Sequence, residues 1–147
     1  MGAQTERWLE QAHRSLASAG SRAGGARDEV MEVLAHEGCL LNAQEIHDLL
    51  RDRGRRVGMA SVYRTLELLS AHRLVRRVEV AGVASFEVML PSGEHHHHLV
   101  CERCGAMVAF DDTELERSLA AVQERLGVPG AEHEVIIHAP CPVCRRA

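Results

Sequence analysis

The 147-residue chain contains no lysine, so its permanent positive charge is carried by arginine alone. Aromatic residues are almost as scarce: one tryptophan, one tyrosine and two phenylalanines. A core drawn from such a chain is largely aliphatic, and a small aliphatic core is marginal without some added constraint. No apolar run approaches the ~20 residues that cross a bilayer, and the N-terminus lacks a signal-like apolar stretch. A helical membrane anchor is therefore not expected, and the cytoplasm is the expected location. Without a secretory signal, the cysteines do not read as a disulfide framework.

The length fits one domain or two small ones, and the apolar content of 46% is ordinary. A net charge of −4 alone argues against nucleic acid, but its distribution does not. Between Arg51 and Arg77 stand eight arginines against Asp52 and Glu67, whereas residues 81–147 hold five arginines against ten acidic residues. A basic first half and an acidic, His/Cys-rich second half suggest two tasks.

The second half is organised around Glu94-His95-His96-His97-His98-Leu99-Val100-Cys101-Glu102-Arg103-Cys104-Gly105, and the chain ends with Cys141-Pro142-Val143-Cys144. Two Cys-x-x-Cys pairs separated by one folded segment are the pattern of a four-cysteine zinc site. Gly105 suits a tight knuckle after Cys104, and Pro142 stiffens the second loop. A redox Cys-x-x-Cys normally stands alone near a βαβ unit, which is not the arrangement here. If residues 95–101 form a strand, His95 and His97 point one way and His96 and His98 the other. One histidine run could then feed two metal sites on opposite faces.

In chain order, a helix over Thr5–Ala19 carries Trp8, Leu9, Ala12 and Leu16 on one side. A second runs from about Ala26 to His36 and stops at Gly38. Asn42 and Glu45 form a capping-box variant for a third helix, with Gly54 as its C′ residue. Ser61 opens a fourth, to about Ala71, with Val62, Leu66 and Leu69 inward and Tyr63, Arg64 and Glu67 outward. Residues 74–80 and 83–89 flank Ala81-Gly82 as a β-hairpin. Helices followed by a two-stranded wing describe a winged helix-turn-helix, whose recognition helix enters the major groove while wing arginines meet phosphates. After a boundary at Leu90–Gly93 the pattern predicts strands at His95–Cys101, Met107–Phe110 and Glu134–Ala139 and a helix at Thr113–Leu126. The expected organisation is α+β: a winged-helix DNA-binding domain at 1–89, then a small α/β metal-binding dimerisation domain at 90–147. So small an αβ unit leaves strand edges and an apolar face uncovered, so a homodimer is expected. His133-Glu134-Val135-Ile136-Ile137-His138 does not have the His-Glu-x-x-His spacing of a zinc protease and reads as strand.

With these features in place, the chain resembles the ferric uptake regulator (Fur) family from about Gly20 to Cys144. The marks are Ala60-Ser61-Val62-Tyr63-Arg64-Thr65-Leu66, Phe86-Glu87 and His95–Gly105. The resemblance implies a dimeric, metal-dependent transcriptional regulator, usually a repressor of metal-uptake or stress genes, acting on double-stranded operator DNA. It implies a structural zinc on Cys101, Cys104, Cys141 and Cys144, and a regulatory divalent metal (iron, zinc or manganese) on Glu87, His96 and His98. A further site falls on His95, His97, Glu116 and His133. For DNA it implies Tyr63 and Arg64, flanked by Ser61 and Thr65, and Arg22 before the second helix. The chain departs from the family at Leu40-Leu41-Asn42, where many members have a histidine, and at the hinge residues Arg76 and Met89. The fourth regulatory ligand is therefore open, with Cys39 nearby. The competing readings are a zinc-stabilised protein-interaction module without metal-dependent DNA binding, and a zinc hydrolase, for which no base motif is present. An enzyme is not expected.

Overall fold

The computed structural model describes residues 2–146 apart from Ala23 and Gly38, so the expected stop of the second helix at Gly38 lies outside the described residues. Two compact units divide the chain, Met1–Glu94 and His95–Ala147.

In the first unit, α1 (Gly2–Ser18) buries Trp8, Ala12 and Leu16, one residue per turn on a single face. It begins three residues before the expected Thr5, since nothing in Gly2-Ala3-Gln4 breaks the helical bonding. Its Trp8 indole N–H donates to the Leu74 carbonyl at 2.8 Å, satisfying the polar edge of an otherwise apolar ring. Helix α2 (Ala26–Glu37) buries Val30, Met31, Val33, Leu34 and Ala35. Asp28 and Glu29 sit in its first turn and His36 in its last, as the helix dipole favours.

A two-residue strand, β1 (Leu41–Asn42), precedes α3 (Ala43–Asp52). Asn42 Oδ1 accepts the Glu45 backbone N–H at 2.9 Å while Glu45 Oε2 accepts that of Asn42 at 2.8 Å, the reciprocal capping box the pattern predicts. The helix closes at Gly54, whose φ of +71° turns the chain so that Arg55 N–H reaches the Leu50 carbonyl. Helix α4 (Met59–Ala71) starts two residues before the expected Ser61, with Gly58 at the N-cap. Met59 packs against the core and draws the first turn back, so Ser61 lies inside the helix rather than at its cap. Strands β2 (Val75–Val80) and β3 (Val83–Val88) form the expected hairpin. Ala81 and Gly82 both have positive φ, the turn that matches strand twist. β3 also pairs with β1, giving the sheet order β1-β3-β2. One aliphatic cluster, from Trp8 through Leu34, Ile46, Leu66 and Leu74 to Phe86, joins all these elements.

The second unit is built on β4 (His97–Cys101). It pairs antiparallel with β5 (Met107–Phe110) and parallel with β6 (Ile136–Ala139). Both β4 and β6 start two residues later than expected. The Val135 N–H is taken by His97 Nδ1 at 3.2 Å instead of a strand partner, so the ladder opens only beyond it. Helix α5 (Thr113–Leu126) has the expected bounds, because both ends are chemically marked. Asp112 accepts the Leu115 N–H at 2.8 Å, and Gly127 takes the left-handed C-cap. A short α6 (Pro142–Arg146) carries the last cysteine, with proline at its first position, where a missing N–H costs nothing.

Candidate metal centres and nucleic-acid face

Four thiols converge in the second unit. Cys101 ends β4, Cys104 follows in the turn, Cys141 precedes α6 and Cys144 lies within it. Their sulfurs all lie within 4.8 Å of one another, and Cys104 Sγ is 3.9 Å from Cys141 Sγ. A tetrahedron of zinc–sulfur bonds of ~2.3 Å places sulfurs about 3.8 Å apart, so the spacing fits that ion. All five cysteines of the chain are free thiols. Backbone N–H groups of Cys141 (3.2 Å) and Cys104 (3.4 Å) donate to Cys101 Sγ and pull its thiol down to about 6. Hydrogen bonding with Cys104 and then Cys141 instead pushes Cys144 up to about 12. Four thiolates this close repel one another unless a cation neutralises them. Gly105, at φ +73°, closes the knuckle through its N–H to the Cys101 carbonyl. Arg103 ties the first pair to the second by donating to the Cys144 carbonyl at 2.9 Å.

A second cluster gathers His95, His97, Glu116 and His133, again with ligand atoms within 4.8 Å of one another. His97 Nε2 is 2.5 Å from Glu116 Oε1, His133 Nε2 is 3.0 Å from Oε2, and His95 Nε2 is 3.3 Å from Oε1. Burial pushes the Glu116 carboxyl up, but hydrogen bonds from His97 and His133 and the charges of His95 and His133 outweigh it, leaving it below its ordinary value. The Val135 N–H lies 3.2 Å from His97 Nδ1 and holds the ring with Nε2 toward Glu116. Three imidazoles and a carboxylate directed at one point suit a divalent cation such as zinc, iron(II) or manganese(II). Gln123, which no motif marks, lies 3.1 Å from His133 Nδ1 and orients that ring from the same helix that supplies Glu116.

The remaining ligand candidates are distributed differently. His98 is buried on β4, on the strand face opposite His97, while His96 is exposed just before the strand. Glu87 lies on β3 of the first unit, directly across from Arg76 on β2, and the two form an ion pair. Arg76 is thus turned onto Glu87, and only Arg77 of the two neighbouring arginines presents an exposed guanidinium on the wing. This corrects the expectation that the wing arginines together would meet phosphate. Cys39 is partly buried in the first unit.

On α4, Tyr63 is 54% exposed and Arg64 is exposed, its guanidinium donating to Ser61 Oγ at 3.2 Å. Thr65 departs from expectation: it is buried, and its hydroxyl donates to the Ser61 carbonyl at 2.9 Å. It packs the helix and is removed from the set able to reach a groove. Arg22 is exposed, and its carbonyl accepts from Arg27 Nη1 at 2.8 Å. Arg27 shares with Ser61 and Arg64 a shallow cleft of about 290 Å³ between α2 and α4. Arg27 was not marked by the recognition-helix motif, since it belongs to the preceding helix.

These two units define a winged-helix protein with clustered metal-ligating side chains. Residues 18–138 match the ferric uptake regulator family. The chain is 35% identical over 134 residues to the ferric uptake regulation protein of Legionella pneumophila, covering 90% of this chain and 97% of that one. It is 34% identical over 131 residues to the zinc uptake regulation protein of Mycobacterium tuberculosis, covering 88% and 99%. The solved structure of the Helicobacter pylori ferric uptake regulator, described with three functional metal binding sites, superposes with a TM-score of 0.79 at 26% identity, covering 97% and 95%. The chain belongs to the ferric uptake regulator family of metal-responsive regulators.

Proposed function

We propose that the protein is a dimeric transcriptional repressor that binds operator DNA when a regulatory metal site is filled, and that it controls metal-uptake or stress genes. The observation that carries this reading is the division of one histidine run. His95 and His97 join Glu116 and His133 in one cluster, leaving His98 on the opposite strand face and His96 beside it in the chain. Cys101, Cys104, Cys141 and Cys144 hold a structural zinc; Glu87, His96 and His98 supply the regulatory site; the His95 cluster is a further metal site. Metal joining Glu87 of the wing to histidines of the second unit restricts the arrangement of the units, and binding then favours the DNA-competent population. Tyr63 and Arg64 read the groove, with Ser61 beside them, and Arg22, Arg27 and Arg77 meet phosphates.

The dimer is supported by an apolar row across the second sheet. Leu99 pairs with Val108 on one side and Ile137 on the other, and those neighbours are 46% and 44% exposed. Helix α5 adds exposed Val122 and Leu126. A second copy that covered this surface would bury apolar area the single chain leaves in water.

The test uses DNA selected from a random-sequence pool with zinc-loaded protein. His96→Ala should keep its fold, its dimer and its structural zinc, while metal no longer tightens DNA binding. His97→Ala should respond more nearly like the parent. A normal metal response in His96→Ala with a lost response in His97→Ala would reverse the assignment of the two clusters.

A further inference from the structure

We propose that the first unit carries a binding site for a small aromatic amine, set between α4 and the wing, whose occupant excludes DNA. A cavity of about 490 Å³ lies there, walled by α4, the start of α3 and both wing strands. That volume falls within the ~300–1,000 Å³ of sites that take small organic molecules, and suits a ligand of one or two rings. Its floor is apolar. Leu66 and Phe86 are buried, and Ala84, two residues before Phe86 on β3, lies on the same sheet face. Val83, 49% exposed, extends the apolar surface to the mouth.

The charge at the mouth selects the ligand. Glu67 lines the cavity, is exposed, and has no hydrogen bond or ion pair among the described residues. The guanidinium in the same lining, Arg77, is already drawn to Glu79 at 3.8 Å. The uncompensated charge is therefore negative, which attracts a cation and repels a carboxylate. Tyr63 stands four residues before Glu67 on the same side of α4, so an ammonium held by the carboxylate also meets the tyrosine ring. The Ser70 hydroxyl belongs to the same lining, is shut off from solvent, and has no hydrogen-bond partner among the described residues. It is a polar group that a ligand N–H reaching the floor would satisfy. Tyr63 and Arg77 are also among the residues proposed above to meet DNA, so an occupant that covers them removes them from the groove. The exclusion of DNA rests on that reading; the site itself does not.

Tyr63 is the chain's single tyrosine, so its ring resonances report on this cavity. In zinc-loaded full-length protein carrying isotope-labelled tyrosine, tryptamine should shift those resonances saturably. Indoleacetate, of like ring and opposite charge, should bind about tenfold more weakly or worse. Glu67→Gln should cut tryptamine affinity by a similar factor, and Ala84→Leu, which fills the floor, should abolish the shift. Glu67→Gln alters only an exposed side chain and serves if the leucine variant does not fold. On DNA selected as above, tryptamine should displace the parent protein and leave Glu67→Gln bound at the same concentration. Equal binding of the two indoles, or tryptamine binding unchanged in Glu67→Gln, overturns the site. Saturable tryptamine binding without loss of DNA affinity overturns the exclusion. Protein that takes tryptamine but binds no DNA overturns the DNA-binding reading, and the exclusion with it, and leaves the site standing.

Discussion

The two units of this chain are stabilised by different means. The first closes over a continuous aliphatic cluster to which four helices and the wing all contribute. In the second, α5 has no buried residue, and the buried positions are Val100, Cys101, Cys141, His97 and His98. A unit whose interior is thiol and imidazole cannot rely on burial of apolar area, because those groups repel or demand partners when brought together. Metal is therefore expected to contribute to the second unit's folding free energy, whereas the first unit is expected to fold without it.

The largest effect is expected from Cys101→Ser. It removes the buried thiol that receives backbone N–H bonds from both Cys104 and Cys141 in the four-sulfur cluster. Structural zinc sites contribute on the order of 10–16 kcal/mol of apparent binding free energy, so losing one should unfold the second unit. Metal analysis should show the zinc gone, while amide exchange in the α2–α4 core remains slow. Slow exchange throughout β4–β6 in the zinc-free variant would show that packing alone holds that unit.

Trp8→Ala makes the opposite test. The ring is fully buried and its N–H holds the Leu74 carbonyl, so its loss should cost about 3–5 kcal/mol. Adding or chelating zinc should not change that cost, as measured by denaturant unfolding of the first unit. A zinc-dependent penalty would mean the two units do not divide their stability as described.

Arg64→Ala addresses the first unit's surface instead of its interior. The side chain is exposed and donates to Ser61 Oγ within its own helix, so the fold should be indifferent to it. Binding to selected DNA should weaken by about 1–3 kcal/mol and lose discrimination at one base position. The assay needs fixed salt, since phosphate contacts make affinity salt-dependent. Equal losses on selected and random DNA would reassign Arg64 to phosphate contact.

How much of this was legible follows the same divide. Helix α5 could be placed from Asp112 and Gly127, and α3 from Asn42, Glu45 and Gly54, because each signal acts within one turn of the chain. The His95/His97 alternation was legible because strand parity is local too. Two-residue β1 was not, since Leu41–Asn42 is too short for any periodicity and exists through its pairing with Phe86 and Ser85. Thr65 was misplaced because a threonine on a helix that bonds its own backbone looks polar in sequence and behaves as core. Gln123 beside His133, and Arg76 opposite Glu87, depend on registers between distant segments, which sequence spacing does not report.

The smallest effect is expected from acid on the metal-free second cluster. Glu116 has its carboxyl held below the ordinary value, by hydrogen bonds and charges of the surrounding histidines that outweigh the opposing effect of burial. A group whose folded-state pKa is depressed stabilises the fold fully above its unfolded pKa, near 4.3, and loses that contribution as pH falls through the lower folded value. Because Glu116 is more than a third exposed, solvent screening limits the contribution to below about 1 kcal/mol. In protein whose histidine cluster is empty of metal while the four-cysteine site stays loaded, melting curves of the second unit should therefore lose a little stability on the acid side of the ordinary carboxylate range. Glu116→Gln, which cannot ionise, should flatten that part of the profile without altering the first unit's curve. A Gln variant that retains the parent's acid slope would place the titrating group elsewhere, and the imidazole–carboxylate cluster would then contribute to metal binding alone.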